Sequence, residues 1–304
     1  MLVALASALG SGCSESDKAS TTPGPGPAEP APDALASGDP VLVGAGDIAS
    51  CDESGDEKTA GLLDGISGTV FAAGDNVYDS GTAAEYRDCY GPTWGRHKDR
   101  TRPVPGNHEY LSPGAAPYFD YFAANVGPAG RSYYSYDLGA WHVVALDSNI
   151  AAEPGSAQYE WLREDLAASH ASCTLAYWHH PVFSSGYHGN NPKMAEIWRL
   201  MDEAGVDVVI AGHDHDYERF APQTASGQAD PNGIRQFVVG TGGRHLRPFV
   251  TIQANSEVRN SDTFGVLKLT LHDNGYDWAF LSAGTPGTAE PPAGTVLDSG
   301  SDTC

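Results

Sequence analysis

Five predicted strands in this chain of 304 residues each end in a short polar motif, and this recurrence constrains the fold more than any other feature of the sequence. The motifs, in chain order, are GD (46–47), GDNVY (74–78), GNHE (106–109), WHHP (178–181) and GHDH (212–215). The runs before them are apolar and bounded by turn residues, which is typical of buried strands. Helical patterns separate several of these strands, so the sequence predicts an α/β fold, in which ligands bind at the carboxyl ends of the strands.

The rest of the pattern predicts four helices and further strands. Helical periodicity indicates helices over 57–66, 82–90, 156–170 and 192–205. The segment 132–149 is typical of a hairpin that turns at Gly139, and 100–110 of an edge segment, because its prolines cannot donate to a sheet. Later segments are purely β. We therefore predict one domain over about 40–285, a four-layer α-β-β-α sandwich in which helices flank two packed mixed sheets.

The two ends of the chain differ in composition from this core. Residues 1–13 are apolar or small up to Cys13 and resemble a bacterial lipoprotein signal, with Cys13 as the lipidated residue; the alternative is a frayed N-terminus. Residues 14–39 are rich in Pro, Ser, Thr and acids, which predicts a disordered tether. Residues 286–304 are expected to be a C-terminal tail. This organisation predicts export, as a cell-envelope lipoprotein or as a secreted or periplasmic protein.

The charge of the chain narrows the range of partners. It has 39 acidic and 17 basic residues, a formal net charge of −22. Such a surface repels phosphate backbones and anionic lipid headgroups, so we expect no nucleic-acid partner. Membrane contact is expected only through a lipid on Cys13. We expect a monomer.

Four cysteines besides Cys13 suggest two disulfides in an exported domain, with three possible pairings. Cys51 and Cys89 follow consecutive predicted strands, so we pair them. Cys173 would then pair with Cys304 and hold the C-terminal tail. The alternative is that some of these residues are buried free thiols.

The polar motifs together offer enough donors for two metal ions. The side chains with donor atoms are Asp47, Asp75, Tyr78, Asn107, His108, His179, His213 and His215. Hard oxygen donors mixed with imidazoles suit first-row divalent or trivalent metals. Each motif alone is weak, because GD after a strand is an ordinary turn and two nearby histidines are common in solvated loops. Their ordered series indicates a dinuclear metal site at the carboxyl edge of the strands.

This ordered series resembles the calcineurin-like metallophosphoesterases and, within them, the purple acid phosphatases. The resemblance covers about 40–285, and Tyr78 at its spacing from Asp75 marks the purple acid branch. Ala49 departs from the family pattern, which usually has Gly there. No part of the chain resembles the fibronectin-like domain of the plant enzymes, so we expect the small, tartrate-resistant-like bacterial form.

The resemblance implies two sets of metal ligands that share Asp75. The first would hold Fe(III) through Asp47, Asp75, Tyr78 and His215. The second would hold a divalent ion, Fe, Zn or Mn, through Asp75, Asn107, His179 and His213. His180 is implied to be a neighbour of the ligands, since the family's ligand lies two residues before the proline.

The resemblance also implies hydrolysis of phosphate monoesters, on a small phosphorylated substrate, by attack of a metal-bound hydroxide. His108 would be the general acid, and His188 would assist it or hold phosphate. Glu109 is expected to orient His108, and Arg244 is a candidate for phosphate contact.

Three alternatives remain open at this point. The chain could be a phosphodiesterase or nucleotidase of the same superfamily, since the metal ligands do not encode the substrate. It could also be an anchored protein that only captures metal or phosphate. The sequence G-x-G-x-x-A at Gly44, Gly46 and Ala49 is compatible with a dinucleotide-binding turn, although no helix is predicted directly after it.

Overall fold

The computed structural model describes residues 38–128, 130–284 and 291–304. Its strands are β1 Val41–Ala45, β2 Ala49–Ser50, β3 Thr69–Ala73, β4 Val77–Tyr78, β5 Thr101–Val104, β6 Tyr134–Leu138, β7 Trp141–Ala145, β8 Cys173–Tyr177, β9 Val208–Ala211, β10 Tyr217–Phe220, β11 Arg235–Val239, β12 Ser256–Asn260, β13 Gly265–His272, β14 Gly275–Ser282 and β15 Val296–Thr303. Its α-helices are α1 Gly55–Asp64, α2 Ala83–Glu85, α3 Ala116–Phe122, α4 Ala157–Ala168 and α5 Ala195–Ala204.

The strands form two large mixed sheets and one small parallel pair. The first sheet has the order β15-β14-β13-β1-β3-β5, in which β1, β3 and β5 are parallel and the others antiparallel. The second has the order β12-β10-β11-β9-β8-β7-β6, with β7, β8, β9 and β11 parallel. Strand β2, which follows the motif GD, pairs in parallel with β4, which is the end of the motif GDNVY. The parallel strands of both sheets carry the predicted metal-binding motifs at their carboxyl ends.

Aromatic side chains join the two sheets face to face. Phe71 of the first sheet lies 6.0 Å from Tyr177 of the second, between ring centroids. Tyr217 stacks on Phe280 at 4.0 Å with an interplanar angle of 6°. These rings belong to one buried cluster that includes residues of both sheets, so the sheets pack against each other as predicted.

Helices cover the outer faces of the sheets. Helices α4 and α5 bury Leu162, Ile197 and Trp198 in a second apolar cluster with Val144 and Val209 of the second sheet. Helix α1 contacts β13 of the first sheet and buries Leu63. The four-layer α-β-β-α arrangement predicted from the sequence is therefore confirmed.

Two expectations about the elements need correction. The segment 82–90 is one turn of α-helix, Ala83–Glu85, followed by a π-helical turn over Tyr86–Tyr90, and not one continuous α-helix. Part of the expected tail, 286–304, forms β15, which pairs antiparallel with β14 along the edge of the first sheet. The residues from 39 to 304 accordingly form one compact unit by their contacts. The residues of β15 alternate between exposed and partly buried, which explains why the sequence shows no apolar run there.

Both predicted disulfides are present. Cys51 is bonded to Cys89 with a Cα–Cα distance of 4.9 Å, and Cys173 to Cys304 with a Cα–Cα distance of 5.5 Å. The first connects the loop after β2 to the segment after Tyr78. The signal-like residues 1–13, with Cys13, and residues 14–37 of the tether lie outside the described part of the chain. Among the described residues, no helix has both the length and the apolar character needed to cross a bilayer.

The dinucleotide alternative is not supported by the turn after β1. Strand β2 follows the turn at Ala49, and helix α1 begins only at Gly55. A Cβ on Gly44 would lie 1.9 Å from the carbonyl oxygen of Phe71. The glycine is therefore required by the close approach of β1 to β3.

Candidate metal centre

The predicted ligands converge because parallel strands end at one edge of each sheet. Asp47 lies two residues after β1, and Asp75 two residues after β3. His179 and His213 occupy the same position after β8 and β9 of the second sheet. Asn107 follows β5, Tyr78 ends β4 and His215 precedes β10. The packed sheets bring these loops together, which is the placement that the sequence predicted.

The backbone at three of these residues is in the left-handed region. The φ angles are 58° at Asp47, 47° at Asp75 and 72° at His213. Non-glycine residues in this region are uncommon and cost conformational energy. Three of the expected ligands therefore lie on strained turns directly after their strands.

Glycines before the ligands make room for the crowded carboxylates. A Cβ on Gly106 would lie 2.1 Å from Oδ1 of Asp75, and one on Gly212 would lie 2.7 Å from Oδ2 of Asp47. Any other residue at these positions would displace the carboxylates. This explains physically why glycine precedes Asn107 and His213.

A first group of donors surrounds the Tyr78 hydroxyl. Its oxygen lies 2.7 Å from Oδ1 of Asp47, 3.1 Å from Oδ2 of Asp75 and 3.3 Å from Nε2 of His215. His215 Nε2 is also 3.4 Å from Oδ1 of Asp47. All four side chains are buried. The four residues expected to hold one ion thus present one donor atom each to a common space.

A second group surrounds Nε2 of His179. This nitrogen lies 3.2 Å from Oδ2 of Asp75, 3.2 Å from Oδ1 of Asn107 and 3.2 Å from Nδ1 of His213. The same Asp75 oxygen, Oδ2, therefore belongs to both groups. This is the arrangement that a bridging carboxylate requires.

Backbone carbonyls fix the tautomers of two histidines. Nδ1 of His179 lies 2.9 Å from the carbonyl oxygen of Ala73, and Nδ1 of His215 lies 2.8 Å from that of His245. A carbonyl only accepts, so each Nδ1 carries the hydrogen and leaves Nε2 for a ligand. Such contacts are typical of histidines that bind metals.

The residues present fit a pair of metal ions. With metal–ligand bonds of about 2.1 Å, neighbouring donors of a four- to six-coordinate ion are separated by about 3.0–3.4 Å. The second group has separations of 3.2 Å, and the first has separations of 2.7–3.4 Å. The acceptor oxygens of Asp47, Asp75 and Asn107 face the Nε2 atoms of His179 and His215 across these separations. Two sets of side chains have donor atoms that all lie within 4.8 Å of one another, close enough to hold a metal ion. One set is Asp47, Asp75 and His179, and the other is His179, His180 and His213.

The pKa values of the donor residues indicate that the two buried carboxylates attract positive charge. Burial opposes ionisation of Asp75, yet the neighbouring His179 holds the pKa of Asp75 well below its usual range. Burial lowers the pKa of His179, but the Asp75 carboxylate raises that pKa to about 9. Burial and the neighbouring His179 lower the pKa of His213 to about 3. The two buried carboxylates therefore draw a cation to the position of His179, which a metal ion would supply.

A small pocket of about 100 Å³ opens above these donors. Its lining residues are Asp75, Tyr78, Asn107, His108, His188, His213, His215, Arg244 and Arg247. Its size suits a phosphate-sized group. A larger and more apolar cavity of about 910 Å³ lies elsewhere, between Gly114 and Tyr136, and contains none of the predicted catalytic residues.

His108 lies where a proton donor could reach the pocket. Its Nδ1 donates to the carbonyl oxygen of Asp79 at 2.6 Å, which leaves Nε2 to face the centre, 3.9 Å from Oδ2 of Asp75. Its ring packs on Tyr78 with centroids 4.4 Å apart. The side chain contacts the donors without replacing one of them.

Glu109 does not orient His108, contrary to the expectation from the sequence. Its buried carboxylate accepts the backbone N–H groups of Asn76 and Gly106, at 2.9 and 2.7 Å, and the Tyr86 hydroxyl at 3.1 Å. Burial and the Asp75 charge raise the pKa of Glu109 to about 7. Glu109 thus holds together the two loops that carry Asp75 and Asn107.

His188 faces the pocket but has a partner that the sequence did not suggest. Its ring lies 4.3 Å from that of His213, and its Nε2 accepts a hydrogen bond from Nη1 of Arg247 at 3.2 Å. His188 therefore cannot donate from Nε2 while this contact lasts. Sequence reasoning missed Arg247, because it lies three residues after Arg244 and belongs to no motif that would single it out.

Arg244 and His180 lie beside the donors. The Arg244 guanidinium covers the Tyr78 ring at 4.8 Å and pairs with Glu53 at 3.1 Å and Asp79 at 3.0 Å. His180 Nδ1 lies 2.8 Å from the Ser148 hydroxyl oxygen, and its ring lies 4.4 Å from that of His213. Each supports the centre from its side and is placed near it as the sequence suggested.

Comparisons with known proteins agree with this geometry. The model of the family described as calcineurin-like phosphoesterase matches residues 43–217. Purple acid phosphatase 21 of Arabidopsis thaliana is 34% identical over 217 residues, which cover 62% of this chain and 49% of that protein. Purple acid phosphatase 15 of the same plant is 33% identical over 169 residues, which cover 49% of this chain and 32% of that protein.

A solved structure shows the same fold. The purple acid phosphatase PPD1 from yellow lupin (Lupinus luteus) seeds superimposes with a TM-score of 0.71 and 20% identity, covering 86% of this chain and 53% of that one. The chain thus spans about half the length of these relatives or less. The resemblance to the calcineurin-like metallophosphoesterases and to their purple acid phosphatases is confirmed, whereas the small bacterial form stays a prediction.

Proposed function

This chain belongs to the calcineurin-like phosphoesterase family, and we propose from this premise that it hydrolyses phosphate monoesters at a dinuclear metal centre. The observation that carries the proposal is the shared oxygen of Asp75. Oδ2 lies 3.1 Å from the Tyr78 hydroxyl and 3.2 Å from His179 Nε2, so one carboxylate belongs to both donor groups.

The donor sets support a specific assignment of the ions. A phenol and two carboxylates favour a trivalent ion, so Asp47, Asp75, Tyr78 and His215 would hold Fe(III). Asp75, Asn107, His179 and His213 would hold a divalent ion, Fe, Zn or Mn. When bound, two such ions would neutralise the phosphoryl oxygens and acidify a nucleophilic water.

The chain's own residues would then position the substrate and move a proton. The pocket of about 100 Å³ admits a phosphoryl group and leaves its organic part at the mouth. His108 would carry a proton on Nε2 and give it to the leaving oxygen, because its Nδ1 hydrogen is fixed on the Asp79 carbonyl. Arg244, held over Tyr78, contributes positive charge beside the pocket.

Two alternatives differ from this proposal in their observables. A phosphodiesterase or nucleotidase would use the same donors and differ in the preferred ester. A protein that only captures metal or phosphate would bind both without turnover; the presence of His108 next to the donors favours an enzyme.

The experiment is metal analysis and turnover of protein purified without chelator. We expect two metal equivalents, one of them iron. Phenyl phosphate, a monoester, should be hydrolysed faster than diphenyl phosphate, a diester. A metal-loaded protein that hydrolyses neither ester would contradict the proposal. Faster hydrolysis of the diester would move it to the phosphodiesterase alternative.

We propose that the protein is exported. The two disulfides support this, because disulfides persist in oxidising compartments. Lipid attachment at Cys13 and the monomeric state stay predictions. Detergent partitioning of the wild type and release by Cys13→Ser would test the lipid anchor.

A further inference from the structure

Arg247 is held at the rim of the pocket by contacts on several sides. It lines the pocket together with His188 and Arg244. Its Nη1 donates to Nε2 of His188 at 3.2 Å, and its guanidinium lies over the Tyr187 ring, 4.9 Å from the centroid. Its backbone N–H donates to the carbonyl oxygen of His215 at 3.0 Å. The guanidinium is therefore positioned before any substrate arrives.

The charge of Arg247 has no acidic partner in the described ranges 38–128, 130–284 and 291–304. Arg244 in the same pocket is paired with both Glu53 and Asp79. The chain has 39 acidic and 17 basic residues, so an arginine without a carboxylate beside a pocket is unexpected on composition alone. Such a guanidinium is available to an anion from solvent.

The donor groups of Arg247 are mostly free as well. A guanidinium has five N–H donors, and within the described residues one side-chain hydrogen bond, to His188, is made. The remaining donors offer the fork that binds a phosphate through two parallel hydrogen bonds.

Arg247 lies one imidazole away from the metal donors. The His188 ring lies between it and His213, 4.3 Å from the His213 ring, and His213 Nδ1 is 3.2 Å from Nε2 of His179. A phosphoryl group at the metal centre is thus separated from the Arg247 fork by the width of His188. Arg247 and His213 line the same pocket, so the fork borders the space next to the metal donors.

We propose that Arg247 binds a second, non-reacting phosphate, so that the site prefers substrates with two neighbouring phosphate groups over simple monoesters. The inference rests on the proposed phosphatase function and names its substrate class. Tyr187, a residue that is 59% exposed, lies under the guanidinium and holds it in place. The second phosphate is attached either through an anhydride, as in ADP, or on a neighbouring carbon, as in 2,3-bisphosphoglycerate.

The first experiment measures binding to the metal-loaded protein by calorimetry, with methylenediphosphonate and methylphosphonate as non-hydrolysable ligands. Arg247→Gln should weaken the binding of methylenediphosphonate by about 10- to 100-fold, the usual cost of lost hydrogen bonds to a charged group. Methylphosphonate should change little. Arg247→Lys should recover only part of the loss, because lysine lacks the fork. Arg199→Gln, which removes an exposed arginine from α5, is the matched control and should change neither ligand.

The outcomes separate this inference from the proposed function. Equal weakening of both phosphonates would overturn the inference, since Arg247 would then contact the reacting group. Unchanged binding of both phosphonates by an Arg247→Gln protein with normal circular dichroism and metal content would overturn it as well.

Kinetics with phenyl phosphate, ADP and 2,3-bisphosphoglycerate form the second experiment. A raised KM for either bisphosphorylated substrate supports the inference and shows how the second phosphate is attached. An inactive wild type contradicts the proposed function, whereas an active wild type with KM values unaffected by Arg247→Gln overturns this inference alone.

Discussion

The hydroxyl oxygen of Tyr78 lies 2.7 Å from Oδ1 of Asp47, between two buried carboxylates. Burial and the charges of Asp47 and Asp75 raise the pKa of Tyr78 well above its ordinary value. The phenol therefore keeps its proton unless a cation takes the proton's place. A trivalent ion among these oxygens would do so, which makes Tyr78 the most informative residue for the identity of the first metal.

Tyr78→Phe should remove a visible absorption band from the oxidised protein. If the phenol oxygen binds Fe(III), the band arises from charge transfer between them and is lost with the oxygen. The phenyl ring keeps its packing on His108, so folding should change little. The iron should also be reduced more easily, because an anionic donor that favours the ferric state is gone. Visible spectra and iron content measured together check this.

Tyr90→Phe is the matched control for that experiment. Tyr90 is fully buried among aromatic rings, and its hydroxyl has no hydrogen-bond partner among the described residues. The substitution removes the same oxygen from a buried ring, and the colour should stay. A colourless, iron-containing and active wild type would place the chain outside the purple acid branch.

Asp75→Asn should lower the occupancy of both metal positions, because Oδ2 of Asp75 belongs to both donor groups. Oδ1 of Asp47 belongs to the first group, whereas its Oδ2 accepts the backbone N–H of His213 at 2.7 Å. Asp47→Asn should therefore deplete iron more than it depletes the second metal. Atomic absorption of both variants checks the prediction. Two full equivalents in Asp75→Asn would refute the bridging role.

The placement of the metal donors could be predicted because it depends on strand ends. Short apolar runs such as β3 and β9 are recognisable in the sequence, and the carboxyl ends of parallel strands meet at one edge. Asp75 and His213 each lie two residues after such a strand, and the packing of the two sheets brings these strand ends together. The left-handed turns at these residues leave only the preceding glycines as a trace in the sequence.

The contacts around the donors could not be predicted in the same way. Glu109 binds Asn76 and Gly106, and not the adjacent His108, because its partners depend on how two loops fold against each other. Arg247 meets His188 across a separation of 59 residues. Strand β15 has a largely polar, alternately exposed sequence, so its place in the sheet depends on pairing with β14 and on the disulfide at Cys304.

His108→Ala should slow the hydrolysis of esters with poor leaving groups by roughly 10²–10⁴-fold, the usual contribution of a positioned general acid. Activated aryl phosphates should lose much less, since their leaving groups need little protonation. Metal content should stay near that of the wild type, because His108 is not one of the proposed metal ligands. Rates with phenyl phosphate and with a dinitrophenyl phosphate measure the difference. Equal losses on both esters would show that His108 acts in another way.

His142 should make the stability of the fold depend on pH at a place away from the metal centre. Its Nδ1 lies 3.0 Å from Asp137 of β6, and its Nε2 lies 2.8 Å from Asp165 of α4. The hydrogen bond to Asp165 raises the pKa of His142 above its ordinary 6.5 against the effect of burial, and Asp137 adds to this. Because the folded pKa is the higher one, the stabilisation is complete below pH 6.5 and is lost as the pH rises through the folded value.

His142→Gln should therefore lower the free energy of unfolding most at low pH. We expect a loss of about 1–3 kcal/mol near pH 6, the range for a buried hydrogen bond to a charged group, carried mainly by Asp165 since Asp137 is exposed to solvent. The difference from the wild type should shrink toward pH 9. Urea unfolding of both proteins at matched metal content across this range measures the difference. His170→Gln, which changes an exposed histidine that lines the same surface pocket, is the control. A difference that stays constant with pH would show that His142 stabilises the fold as a neutral side chain through packing alone.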